Sequence, residues 1–469
     1  MPRFLFSRSL ILLLLSFTLA SAAPKNIVLF VADDLSPDAG CYGNQAIKTP
    51  HIDRLAAEGV RFDHAFCTTA SCSASRSVIL TGWHNHANRQ YGHQHSYHHF
   101  RTQDAVRSLP VLLSEAGYRT ARSGKYHVGP EEVYRFDHAL KGNARNGVEM
   151  ADHCRDFLNA EDKRPFFLYF CTSDPHRGGG KAPGDNQHNP NSFGNRKNGY
   201  PGVETIEYDP KDVEVHPFLP DTPVCREELA QYYRSVSRVD QGLGRLVEVL
   251  KEAGVYDDTL ILVTSDHGIA FPGGKTTLYD GGMKIPMVVR NPRQKHRGVC
   301  NALVSLVDLT PTLLDYAGAT PQGYAFHGRS FLQAMNEENP QDWDEVYASH
   351  TFHEITMYYP MRVVRNRDYK LIWNLAHGLP YPFASDLWAA PTWQDVYAKG
   401  TGALYGKRTV GNYIHRPKFE LYDLKKDPHE VYNLAEQSEH AELLKTMQEK
   451  LRSFQKRTKD PWIMKWKYE

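Results

Sequence analysis

Three uninterrupted apolar runs, each followed by charged or imidazole side chains, constrain this chain more than any other feature. Asn26 to Ala32 (NIVLFVA) ends in Asp33 and Asp34, Thr259 to Thr264 (TLILVT) leads to Asp266 and His267, and Pro165 to Cys171 (PFFLYFC) precedes Asp174, Pro175 and His176. Runs of this length without polar alternation predict strands buried on both faces, as in a parallel sheet covered by helices. A shorter fourth strand is predicted over Tyr118 to Ser123, followed by Lys125 and His127. All four deliver reactive side chains just past their carboxyl ends, the edge where open α/β sheets bind ligands.

Helical patterns separate the strands. Thr49-Pro50 starts one helix that runs to Gly59, and Arg226 to Ala253 reads as another, closed by Gly254; proline at the first position and glycine just past the end are ordinary helix boundaries. Ser75 to Leu80 is also helical by pattern, which places Cys72 at a helix amino end, a position that favours an anionic ligand. Between Arg177 and about Val224 lies an irregular stretch rich in glycine, proline and asparagine. Long loops of this kind are often binding loops, so this one is expected to wall the pocket.

Adjacent carboxylates at a strand end are costly unless neutralised. Asp33 and Asp34, with Asp266 in an equivalent position, therefore predict a hard divalent cation, Ca²⁺ or Mg²⁺ rather than zinc, which prefers nitrogen and sulfur. Cys72 opens Cys72-Ser73-Ala74-Ser75-Arg76, followed by a Thr81-Gly82 pair.

That pentapeptide resembles the signature of the formylglycine-dependent sulfatases, in which the cysteine is oxidised to an aldehyde. The hydrated aldehyde is a nucleophile that resets itself: one hydroxyl attacks sulfur, and deprotonation of the other expels sulfate. The resemblance continues through ADD (32–34), TPHIDRLA (49–56), DPHR (174–177) and SDHG (265–268), and GKYHVGPE (124–131) and HEITMYYPMR (353–362) are similar to the sulfamidase branch. It implies an alkaline-phosphatase-like α/β fold, with a large, mostly parallel sheet sandwiched by helices and a smaller carboxy-terminal subdomain of antiparallel sheet and helix. The expected division is a leader over 1–22, a catalytic domain over 23–365 and the subdomain over 366–469, the last closing one side of the pocket.

Carried over by residue, the resemblance implies one Ca²⁺ held by Asp33, Asp34, the formylglycine from Cys72, Asp266 and His267. Arg76, Lys125 and Lys275 would hold sulfate oxygens, His127 would act as base on the hydrated aldehyde, and His176 would protonate the departing nitrogen. His353, Glu354 and Arg362 are the candidates for sugar recognition. The implied activity is exo-acting hydrolysis of the N-linked sulfate of N-sulfoglucosamine in heparan sulfate or heparin oligosaccharides. Rivals are an O-sulfatase, for example of glucosamine 6-O-sulfate, and a phosphoester or phosphonate hydrolase. The implied partners are the oligosaccharide and a maturing enzyme, and a homodimer is left open. Three positions depart from the pattern: Ala74 where proline is usual, His267 where the branch usually has asparagine, and Lys275 where it tends to have arginine, which keeps charge but loses the bidentate fork.

The chain has 23 histidines, and His84, His86, His93, His95, His98 and His99 crowd one stretch. With no cysteine partners at zinc-like spacing, they are expected to line a polar pocket rather than bind metal. A net charge of +1 gives no signal for nucleic acid or membrane. Arg3, Arg8, an apolar run from Ser9 to Leu19 and Ala20-Ser21-Ala22 read as a cleaved export signal. The lack of any Asn-x-Ser/Thr sequon favours a bacterial periplasm. The spacing of the seven cysteines fixes no disulfide.

Overall fold

The computed structural model describes residues 25–178 and 192–468; the leader assigned to 1–22 and the middle of the irregular stretch lie outside the described residues. The main sheet contains β1 (Asn26–Ala32), β2 (Val60–Phe62), β3 (Arg119–Gly124), β4 (His138–Leu140), β5 (Phe166–Cys171), β6 (Thr259–Ser265), β7 (Met287–Arg290) and β8 (Gly298–Cys300), in the order β8-β2-β7-β6-β1-β5-β3-β4. All neighbours pair in parallel except those of β7. Every residue of β1, β5 and β6 is buried, as their unbroken apolar runs require.

Register places the chemistry. Ala32 of β1 lies opposite Ser265 of β6, and Val31 lies opposite Cys171 of β5, so three carboxyl ends finish level. The next residues remain tied together: the Asp33 amide donates to the Asp174 carbonyl (3.0 Å) and the Asp266 amide to the Ala32 carbonyl (3.2 Å).

Three helices matter for the site. α1 (Pro50–Glu58) packs against α3 (Pro223–Glu252). α3 begins before the predicted Arg226 because Thr222, whose hydroxyl accepts from the Cys225 amide (3.2 Å), caps it ahead of Pro223. α2 (Cys72–Thr81) is buried at every residue and also starts earlier than its apolar pattern suggests, at Cys72 itself. It stops at Gly82, whose φ of 65° is a left-handed cap that glycine adopts at little cost.

The second sheet is antiparallel, with β9 (Glu345–His350), β10 (Met361–Asn366), β11 (Tyr369–Asn374) and β12 (Phe419–Asp423) in that order. A short helix, α4 (Ser385–Trp388), lies between its strands in sequence, and α5 (Ala441–Arg457) packs on the sheet through Met447, Leu451 and Phe454 against Val364, Leu371 and Trp373. The expected boundary between 365 and 366 therefore cuts β10, and β9 brings residues assigned to the first domain into the second sheet. The pairing of Ser349 with Arg362 that creates this sheet leaves no local sequence signal.

The described part of the irregular stretch runs along α3. Arg238 donates to the Phe193 carbonyl (3.1 Å) and Asn195 donates to the Gln231 carbonyl (2.9 Å). All seven cysteines are free, and among the described residues no helix is long and apolar enough to cross a membrane.

Candidate active site

The level strand ends bring Asp33, Asp34 and Asp266 together, each fully buried, with carboxylate oxygens within 4.8 Å of one another. Asp34 adopts φ 67°, a left-handed conformation that aspartate tolerates, and its amide donates to Asp266 Oδ1 (3.1 Å). The amino end of α2 points into this group, and Cys72 and Arg76, one turn apart, share a face of the helix. Cys72 Sγ lies 3.4 Å from His267 Nε2 and 3.8 Å from Asp34 Oδ1.

Three cations answer the three carboxylates. Arg76 donates to Asp266 Oδ2 (3.0 Å), Asp33 Oδ1 (3.1 Å) and the Lys125 carbonyl (3.1 Å). Lys125 Nζ reaches Asp33 Oδ2 (2.5 Å), and Lys275 Nζ reaches Asp34 Oδ2 (3.1 Å). Burial would raise the Asp33 and Asp34 carboxyls, but Lys125 beside the first and Lys275 beside the second, with neighbouring imidazoles, outweigh it and hold both below the usual range. At Asp266 burial prevails over Arg76 and pushes the carboxyl up. Burial also raises the Cys72 thiol well above its ordinary value, against the pull of Lys125 and Lys275. As a thiol, Cys72 is a poor nucleophile here.

Arg76, expected among the sulfate oxygens, has these donors committed to protein and is fully buried. It orients the carboxylates from beneath. Lys125, His127, His176 and Lys275 instead form the floor of an open cavity of about 640 Å³.

The donor set fits a hard cation. His267 Nδ1 donates to the Gly268 carbonyl (3.0 Å), and its Nε2 faces Asp34 Oδ1 at 3.1 Å. With Asp33, Asp34 and Asp266 converging on the same point, the site offers mainly carboxylate oxygen.

Two imidazoles flank the floor. His176 Nδ1 donates to the Arg177 carbonyl (2.6 Å), so Nε2 accepts from Lys275 Nζ (2.8 Å). Burial and then Lys275 lower His176 to about 4. Burial and then Lys125 hold His127 well below its ordinary value, so it too is a neutral acceptor at pH 7.

The rim comes from other segments. His93, Gln94, His95, Tyr97 and His98 line it together with His353, Glu354, Ser385 and Asp386. Glu354 accepts from the Ser385 amide (3.0 Å) and hydroxyl (2.8 Å), and His353 Nδ1 pairs with Ser71 Oγ (3.0 Å). Asp386 is a residue that sequence reasoning missed: its Oδ2 lies 3.0 Å from Lys275 Nζ and 3.9 Å from His176 Nε2. It sits on α4, a single turn in a Trp- and Pro-rich excursion with no periodic signal.

Two expectations are corrected. Arg362 does not reach the pocket: it is fully buried, with a bidentate pair to Asp460 (2.6 and 2.9 Å) and bonds to the His350 and Met361 carbonyls. Its position on a branch-like motif reflects anchoring of the second sheet. The irregular stretch after Arg177 contributes no lining residue among those described, because its polar groups are satisfied along α3.

Comparison with known proteins gives a consistent picture. Residues 25–319 match the family model described as Sulfatase, and 270–381 match that described as N-sulphoglucosamine sulphohydrolase, C-terminal. The chain is 42% identical to human N-sulphoglucosamine sulphohydrolase over 96% of its length and 94% of the relative's. It is 29% identical to an ulvan-active sulfatase of Formosa agariphila, over 92% of this chain and 79% of that one. A solved structure of a protein in complex with its substrate D-glucosamine-2-N,6-O-disulfate superposes with a TM-score of 0.66 over 94% of this chain and 99% of the other, at 23% identity, which speaks to fold alone.

Proposed function

This chain belongs to the sulfatase family, and on that premise we propose that it is an exo-acting sulfohydrolase for the N-linked sulfate of non-reducing-end N-sulfoglucosamine in heparan sulfate and heparin oligosaccharides. One observation carries the reading. The 42% identity to the human sulphohydrolase spans nearly the whole chain, including the segment that lays His353 and Glu354 against the pocket.

The residues divide the work as follows. Lys125 and Lys275 bind the sulfo oxygens, turning from Asp33 and Asp34 to the incoming anion. Asp33, Asp34, Asp266, His267 and residue 72 would hold Ca²⁺, which would supply positive charge at the carboxylates the lysines leave and would polarise the sulfo group. Cys72, converted to formylglycine by a sulfatase-maturing enzyme, supplies a hydrated aldehyde as nucleophile; the raised thiol supports a modified over an unmodified cysteine. His127, neutral, accepts a proton. His176 Nε2, which accepts from Lys275 Nζ, relays a proton from that ammonium to the departing nitrogen, its Nδ1 being fixed on the Arg177 carbonyl. Asp386, beside both His176 and Lys275, favours a leaving group that departs as an amine and gains positive charge. That is the difference between a sulfamate and a sulfate ester. We further infer export through the leader to a bacterial periplasm.

The test is mass spectrometry of products from matured protein and a heparan-type oligosaccharide carrying both N-sulfo and 6-O-sulfo groups at its non-reducing end, with Cys72→Ala as control. Loss of the N-linked sulfate alone, absent in the control, is expected. Loss of the O-linked group instead returns the O-sulfatase, and turnover of a phosphonate monoester in preference to both returns the phosphonate hydrolase.

A further inference from the structure

The crowd of histidines read from the sequence as pocket lining forms a more definite object in three dimensions. His127, from the loop after β3, meets His93 and His95, from the segment after α2, so that each ring contacts the other two. The three ring centroids lie 4.5 to 4.9 Å apart, with His93 stacked on His127 and His95 tilted against both, and each offers a ring nitrogen within 4.8 Å of the others. His127 Nε2 stands 2.5 Å from His95 Nδ1. His93 Nδ1 and His127 Nδ1 are buried without a hydrogen-bond partner among the described residues. An imidazole nitrogen left in that condition costs on the order of 1–3 kcal/mol unless something occupies it.

The surroundings favour a cation as that occupant. Burial, followed by the nearby Lys275 or Lys125, lowers the pKa of His93, His95 and His127, so all three are neutral imidazoles at neutral pH, each with one unprotonated nitrogen. His93 is oriented from behind by His353, whose Nε2 lies 2.9 Å from His93 Nε2 and whose Nδ1 is held by Ser71 Oγ. Outer contacts of this kind fix the rings of metal-binding histidines. His95 is exposed to the cavity, which leaves room for water as a further ligand.

We propose that His93, His95 and His127 form a second metal site, selective for a borderline divalent ion of the zinc class and separate from the carboxylate site beneath it. Nitrogen donors select zinc, while the oxygen donors of Asp33, Asp34 and Asp266 select a hard ion. Because His127 is shared with the chemistry of the pocket, occupancy withdraws its lone pair and makes the site inhibitory. That consequence rests on the sulfohydrolase reading; the binding itself does not.

The experiment titrates Zn²⁺ against a chromophoric competitor in the full-length protein with Ca²⁺ in millimolar excess. One Zn²⁺ per chain at micromolar or lower concentration is expected. It is retained in Cys72→Ala and weakened at least about tenfold in both His95→Ala and His93→Gln. Inhibition of turnover by Zn²⁺ should follow the same titration and shift with the same variants. No binding below millimolar Zn²⁺, or equal affinity in wild type and both histidine variants, overturns the site. The binding arm decides even if the protein proves to have no N-sulfatase activity, so failure here and failure of the functional reading are distinguishable.

Discussion

Arg76 and Arg362 are both fully buried and both fork onto carboxylates, yet one stands beneath the candidate site and the other does not reach it. The difference lies in what surrounds the carboxylates. Asp460 pairs with Arg362 as its single cation and takes a further bond from Gln455 (2.9 Å), so the group is closed and pins the end of α5 to β10. Asp33 and Asp266 share Arg76 with each other and stand beside Asp34, while Asp33 borrows Lys125 and Asp34 borrows Lys275 from the pocket floor. A buried arginine is a strut when its charges balance one to one. It is part of a site when the balance depends on side chains that a ligand can draw away.

The comparison breaks first at the nucleophile. Cys72→Ala should reduce sulfate release by at least about 10⁴-fold, as loss of a covalent nucleophile does elsewhere, while circular dichroism and the melting temperature stay near wild type. Arg76→Met should come next, losing about 10²–10³-fold in kcat at millimolar Ca²⁺ by disordering the carboxylates. Arg362→Met should behave in the opposite way. It leaves Asp460 buried without its counter-charge and should cost about 3–5 kcal/mol of stability in denaturant unfolding, with kcat per folded molecule unchanged. Adding Asp460→Leu should recover most of that loss. Equal activity losses in Arg76→Met and Arg362→Met would remove the distinction.

Asp386→Asn sharpens the same contrast within the pocket. The variant removes the negative charge beside His176 and Lys275 without changing shape. It should lower kcat on an N-sulfo substrate by roughly 10- to 100-fold and affect an O-sulfo substrate much less, since electrostatic support for a developing charge counts only where that charge develops. Equal loss on both substrates would make Asp386 a support for Lys275 alone.

How much of this was legible in the sequence follows the same division. Asp33, Asp34, Asp266, Lys125 and His176 stand at the ends of strands whose apolar runs announce themselves, and parallel register does the rest. Cys72 and Arg76 are spaced by one helical turn. The rim had no such guide. Asp386 sits on one turn of helix, His93 and His95 lie in a loop, and His127 joins them from about one strand away. Arg362 misled because a buried strut and a binding arginine look alike in sequence; its partner is Asp460, about a hundred residues on, past a sheet whose strand pairing has no local signature. Among its described residues, the stretch after Arg177 supplies no wall, for a related reason. Polar loop composition says that backbone groups need partners, not whether α3 or a ligand supplies them.

The smallest effect tests the best-anchored part of that stretch. His216 Nε2 lies 3.1 Å from Asp38 Oδ2 and holds the stretch to the segment after β1. Burial lowers His216, but the Asp38 charge and hydrogen bond outweigh it, so its pKa is raised in the folded protein. Its stabilisation is therefore full below the unfolded value of about 6.5 and is lost as pH rises through the higher folded value. Burial raises Asp38, but His216 and the bonds from Ser36 and Asn44 lower it below its ordinary value. Its stabilisation is present above about 3.9 and is lost as pH falls through the lower folded value. The pair thus contributes most between about pH 4 and 6.5. Melting curves of wild type and His216→Gln should differ most in that window and converge toward pH 8, by an amount well below that of Arg362→Met. A difference that instead grows from pH 6.5 to 8 would show that His216 acts by packing against Phe218, with ring centroids 5.3 Å apart, rather than by charge.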